Sequence, residues 1–149
     1  MLKNKMDADD VTQETMIRIW KNIESVNTFA AKTWIMRTTH NLCVDFLRKR
    51  AIGFDKEIEI TELITESIAT EESLHNPYLT THNIILVSKI KDAIQRLPQN
   101  MRSVFVLYEI NKMKYKEIAK TLEMPENSVK VYLMRARKKL QEELKAYEE

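Results

Sequence analysis

The chain has 149 residues, 44% of them hydrophobic, a formal net charge of +2 and one cysteine. That is material for one ordinary domain or two small ones, and one glycine, three prolines and abundant Lys, Glu, Ile and Leu point to an almost entirely helical protein. Cys43 has no partner for an internal disulfide, no apolar run reaches bilayer-spanning length and no charged-then-apolar leader opens the chain, so the expectation is a soluble, cytoplasmic protein.

The first predicted helix is Asp7–Ile23. Asp7, Asp9 and Asp10 favour its start through the helix dipole, and Val11, Thr15, Ile19, Trp20 and Ile23 form its apolar stripe. Residues 24–32, around Ser25, Asn27 and Thr28, read as a loop. Thr33–Arg50 follows as a second long helix, with Trp34, Ile35, Leu42, Val44, Phe46 and Leu47 for packing and a basic end at Arg48-Lys49-Arg50. Trp20 and Trp34 both read as core, and Cys43 as a small buried hydrophobe.

Gly53 marks the end of that unit. Residues 54–79 are acidic with scattered isoleucines, closed by Asn76-Pro77, and read as a linker with at most marginal helices or extended pieces. Periodicity returns in Ile84–Leu97, a helix stopped by Pro98, and in Gln99–Asn111, with Met101, Val104, Phe105, Leu107 and Tyr108 for its core. The last stretch, Tyr115–Leu140, carries two helical bursts of apolar residues. Ile118, Ala119 and Leu122 come first, then Val129, Leu133, Ala136 and Leu140. Met124-Pro125-Glu126-Asn127 lies between them, with Pro125 suited to a first helical turn. Helix, tight turn and longer helix make the outline of a helix-turn-helix.

With Val129, Leu133, Ala136 and Leu140 turned to the core, helical periodicity puts Asn127, Val131, Met134, Arg135 and Lys138 outward, flanked by Ser128, Lys130 and Arg137. Residues at the start of such a helix reach base edges, and later Arg and Lys pair with phosphates. The competing reading is a solvated basic surface. Charge distribution favours DNA: nine Lys or Arg face three acidic residues between Lys112 and Leu140, whereas seven acidic residues face one Lys56 between Ala51 and Thr81. The reading is therefore all-α, with two small helical domains joined by an acidic linker: residues 1–52, a linker at 53–82, and a four-helix helix-turn-helix domain at 83–149.

Catalytic chemistry finds no foothold. There is no nucleophile motif and no phosphate-cradling glycine loop. His40 has no second ligand at metal spacing, and His75 and His82 lie in the linker. The expectation is a protein that is not an enzyme, with no metal, no cofactor and no small-molecule substrate.

Certain motifs carry a family likeness. Asp7-Ala8-Asp9-Asp10-Val11-Thr12-Gln13-Glu14, Trp20, Trp34-Ile35-Met36-Arg37, Asn41-Leu42-Cys43-Val44-Asp45 and Arg48-Lys49-Arg50 resemble region 2 of bacterial extracytoplasmic-function (ECF) sigma factors. Residues 94–98, 115–119 and 128–140 resemble their region 4. The resemblance implies a subunit of RNA polymerase that directs initiation at specific promoters. Asp10, Gln13, Glu14 and Arg18 would then grip core polymerase. Arg37, Asn41, Asp45, Arg48, Lys49 and Arg50 would face the melted −10 element, and the loop Ser25–Lys32 would hold a flipped base. Asn127, Ser128, Lys130, Val131, Arg135 and Lys138 would meet the −35 element. Structural alternatives stay open: Asn41 satisfying a nearby carbonyl, Asp45 pairing with Arg48 or Lys49.

The implied partners are core polymerase, promoter DNA and an anti-sigma factor. The chain departs from the family pattern in places. Family members usually carry another helix before the Asp7 motif, so the reading includes a shortened N-terminus that leaves part of region 2 exposed. The loop near Ala30–Thr33 lacks a matching aromatic, Thr38-Thr39 replaces an apolar pair, and Ser128 stands where threonine is common. The alternative functions are a stand-alone helix-turn-helix regulator and an initiation-defective sigma fragment.

Overall fold

The structure, a computed structural model, describes residues 1–54 and 81–145. The acidic linker between them, with the marginal elements expected there, lies outside the described residues. Helix α1 spans Lys5–Asn22, begun by the Asn4 side chain, whose Oδ1 accepts the Met6 N–H at 2.8 Å. Val11 and Thr15 are its buried face, and the Thr15 hydroxyl returns to the Val11 carbonyl at 2.8 Å, so a polar residue is buried without an unmet donor. The connecting loop is built on side-chain and backbone turns, with Asn27 Oδ1 accepting the Phe29 N–H at 2.9 Å. Helix α2, Ala31–Phe54, packs on α1 as an antiparallel hairpin, and Arg50 near its end pairs with Asp7 near the start of α1.

Gly53 lies in the last turn of α2, where the unit was expected to end. One expectation is corrected here. Trp20 is not core: it is 77% exposed, as is much of Ile23. Trp20 sits about 140° around α1 from Thr15, the face that meets α2, so an apolar residue near the edge of the stripe has no wall to pack on. Trp34, Ile35, Leu42, Val44, Phe46 and Leu47 are half-buried, and Cys43 is buried.

Helix α3, Thr81–Arg96, ends before Pro98, and α4 follows as Gln99–Phe105. The predicted helix through Asn111 is not uniform. From Val106 to Ile110 the backbone widens into a π-turn, with the Asn111 N–H bonded to the Val106 carbonyl at 3.0 Å. Lys112, at φ 55°, reverses the chain, and the buried Met113 leads into α5, Tyr115–Leu122. A turn at residues 123–125 feeds α6, Glu126–Lys145.

The main core belongs to this C-terminal half. Val104, Leu107, Met113, Ile118, Val129 and Leu133 form one cluster, and Ala93, Leu97, Ala136 and Leu140 a second beside it. All four apolar positions predicted on the last helix are therefore inside. Complete burial of a leucine or isoleucine contributes about 1.5–3 kcal/mol, which makes α4–α6 the stable platform.

Candidate nucleic-acid interface

Helix α5 starts with its own brace: the Glu117 carboxylate accepts the Lys114 N–H at 2.8 Å, which holds that carboxyl below its ordinary range, helped by Lys32. Ile118 and Thr121 face the core. Glu123 closes α5 in the left-handed region at φ 54°, ψ 45°, and the Met124 N–H returns to the Ala119 carbonyl. Pro125 precedes α6 rather than occupying its first turn, and its carbonyl accepts from the Ser128 and Val129 amides at 3.0 and 3.2 Å. A short turn, bonded back to α5 and forward into α6, thus fixes the angle at which α6 is presented.

Asn127, Lys130, Val131, Met134, Arg135 and Lys138 are exposed along one side of α6, and Ser128 is half-exposed. A helix with its opposite face locked in a core and this side open can enter a major groove. Lys130 lies 3.7 Å from Glu126 and 5.7 Å over the Tyr115 ring, and Lys138 lies 4.0 Å from Glu142. These partners are exposed pairs that a phosphate can displace.

Arg137 has a different job. Its guanidinium donates twice to Glu109 Oε1, at 2.9 and 2.6 Å, which raises its pKa, and it lies 5.5 Å over the Tyr108 ring. Tyr108 in turn stacks on Tyr115, centroids 5.0 Å apart and planes 11° from parallel. This chain ties α6 to the π-turn and to the start of α5. Sequence reading missed it, because the pairing depends on the π-turn that rotates Tyr108 and Glu109 toward α6. Tyr115, Lys130, Met134, Arg137 and Lys138 line an open groove of about 510 Å³ beside it.

On the other half, Arg37, Asn41 and Asp45 follow one another at four-residue steps along one face of α2. Asn41 and Lys49 are exposed, Asp45 lies 3.6 Å from Arg48, and Arg50 pairs with Asp7. The structural alternative for Asp45 is therefore present in this state. Arg37 points elsewhere, onto the Lys120 carbonyl and the Glu123 carboxylate of α5. Asp10, Gln13 and Arg18 are exposed on α1, and Glu14 pairs with Arg18 at 3.0 Å. Phe29, fully exposed in the α1–α2 loop, is a second residue that sequence reading passed over; its signal was to be the only aromatic in residues 24–33.

Two family models match the chain. The sigma-70 region 2 family model matches residues 1–52, and the sigma-70 region 4 model matches residues 88–140. The ECF RNA polymerase sigma factor SigW of Bacillus subtilis is 32% identical over 150 residues, covering 97% of this chain and 79% of SigW. The chain belongs to the ECF family of RNA polymerase sigma factors. SigM of the same organism is 28% identical over 140 residues, covering 81% of SigM. SigE of Mycolicibacterium smegmatis is 29% identical over 141 residues, and there the match spans only 53% of the relative's length.

Two solved structures share the sigma-factor fold. RpoE of Bartonella quintana, solved with the anti-sigma factor NepR, superposes with a TM-score of 0.69 at 20% identity, over 97% of this chain and 84% of that one. CnrH, solved with the cytosolic domain of CnrY, gives 0.65 at 22%, over 96% and 74%.

Proposed function

We propose that this sigma factor brings RNA polymerase to promoters by reading two boxes with its two halves. The observation that carries the reading is α6: its apolar side is locked into the core while Asn127, Val131, Arg135 and Lys138 stand open at the far side of a well-bonded turn. Asn127, Ser128 and Val131, near the helix start, read base edges of the −35 element, while Lys130, Arg135 and Lys138 hold its phosphates and orient the helix.

Residues 1–52 form the polymerase-binding and −10 domain, 53–82 the connector and 83–149 the −35 domain. Asp10, Gln13, Glu14 and Arg18 offer an exposed, mixed-charge helix face that docks on core polymerase and sets register. Asn41 contributes an amide to an unstacked −10 base, and Arg37, Arg48, Lys49 and Arg50 bind the strand's phosphates, with Asp45 orienting Arg48. Phe29 adds a stacking surface in the loop that holds a flipped base.

The chain performs no bond chemistry; the polymerase does. Among the described residues no helix is long and apolar enough to cross a membrane, which supports action in the cytoplasm. An anti-sigma protein is a further partner, by analogy with the complexes in which the two structural relatives were solved. Pull-down with core polymerase followed by run-off transcription tests the assignment: the full chain is expected to bind core and start transcripts that core alone does not. Binding to duplex DNA as a dimer without polymerase would favour a stand-alone regulator instead.

A further inference from the structure

We infer that Val131 and Met134 read the methyl groups of thymines in two neighbouring base pairs of the −35 box. The inference rests on the assignment of α6 to that element. Val131 is 40% exposed and Met134 63% exposed, whereas Val129, Leu133, Ala136 and Leu140 on the far side of the helix are buried. With 3.6 residues per turn, Asn127 and Arg135 lie one turn either side of Val131, about 40° away around the helix, and Met134 lies about 60° away. Met134 shares the open groove beside α6 with Lys130 and Lys138. Two apolar side chains therefore occupy the centre of a face whose rim is Asn127, Lys130, Arg135 and Lys138, all exposed.

The rim fixes the class of ligand. Three cations and an amide suit the phosphates and base edges of a duplex. The apolar centre then selects within the major groove. Every base pair presents donors and acceptors there, and the one apolar group that projects into it is the thymine methyl. Valine has no donor or acceptor in its side chain, and a methionine thioether accepts only weakly. Laid over a G·C pair, either side chain would strip water from polar atoms without replacing the lost hydrogen bonds. Laid over thymine, each buries a methyl instead.

Spacing sets the number of base pairs read. Three residues of helix rise about 4.5 Å, against about 3.4 Å between successive bases of one strand, so the two side chains span neighbouring pairs. Val131 is stiff at χ1 on a helix, which fixes the position of its methyls. Met134 is unbranched and adapts to its neighbour. Discrimination is accordingly expected to be sharper at the Val131 thymine.

The test starts from promoters selected out of a randomised pool by core polymerase plus the full chain. Each thymine of the upstream motif is replaced in turn by deoxyuridine, which deletes only the methyl, and run-off transcription is measured at subsaturating polymerase complex. Thymines in two adjacent base pairs are expected to lose about 4-fold each, the contribution of one buried methyl-sized group. Val131→Ala is expected to abolish the response at one of them and Met134→Ala at the other, with denaturant midpoints of both near wild type. Any effect of the methyl on the duplex itself is common to all three proteins and cancels. An upstream motif without adjacent A·T pairs, no loss on deoxyuridine substitution, or a loss that either variant leaves intact at both thymines would overturn the inference while the −35 assignment stands. Failure to select any upstream motif would overturn both.

Discussion

His40 sits where α2 meets α4, with Nε2 on Ser103 and a buried Nδ1 that has no hydrogen-bond partner. Burial lowers its pKa below the ordinary 6.5, the Asn41 side chain opposes that shift, and the Met1 amino group adds to it. The folded chain thus binds fewer protons than a chain with His40 in water. Its stability rises with pH and is lost as pH falls through 6.5 toward the lowered pKa. Denaturant midpoints are expected to fall on acidification from pH 7.5 to about pH 5.5, and His40→Asn is expected to flatten that response.

Other residues sort by what they touch. Arg135→Ala and Lys138→Ala should weaken −35 binding in the polymerase complex, each reducing the salt slope by about one, with unfolding midpoints near wild type. Full promoter activity in both would remove them from the interface. Phe29→Ala should leave stability within about 0.5 kcal/mol of wild type, since the ring is fully exposed, yet reduce discrimination at the −10 element. The same ratio of transcription from wild-type and altered −10 boxes in both proteins would refute that role.

At the scale of elements, α5 and α6 carry the fold, and their packing is the part most open to a mutational test. Leu133→Ala empties a fully buried site between α4 and α6 and is expected to cost about 2–5 kcal/mol, read from denaturant midpoints. A loss under 1 kcal/mol would mean that the cluster is looser than described. This platform was also the most legible region of the sequence. Val129, Leu133, Ala136 and Leu140 repeat at helical spacing, and the same spacing put Asn127, Val131, Arg135 and Lys138 outside, where the structure has them.

Legibility stopped where geometry depends on a partner element. Trp20 read as core because apolar residues near a stripe usually find a wall, but α2 covers only the Val11–Thr15 side of α1. The π-turn at Val106–Ile110 leaves no mark in a hydrophobic period, so the Glu109–Arg137 bond and the Tyr108–Tyr115 stack were hidden with it. The contacts of Lys32 and Arg37 join residues 85 and 83 positions apart, beyond any local pattern.

At the scale of the molecule, the two halves are unequal partners. Val11, Thr15 and Cys43 are the buried residues among positions 1–52, whereas residues 88–140 hold both core clusters. The N-terminal half therefore draws part of its order from its neighbours, through Met36, His40 and Arg37. The central claim is that one chain reads two separate boxes with α2 and α6. Its most direct measurement is transcription by core polymerase plus this chain from a pool of randomised promoters, followed by sequencing of the templates that were used. The account predicts enrichment of two motifs at fixed separation, with Arg135→Ala relaxing only the upstream one and Asn41→Ala only the downstream one. A single enriched motif, or a pool indistinguishable from that of core alone, would contradict it.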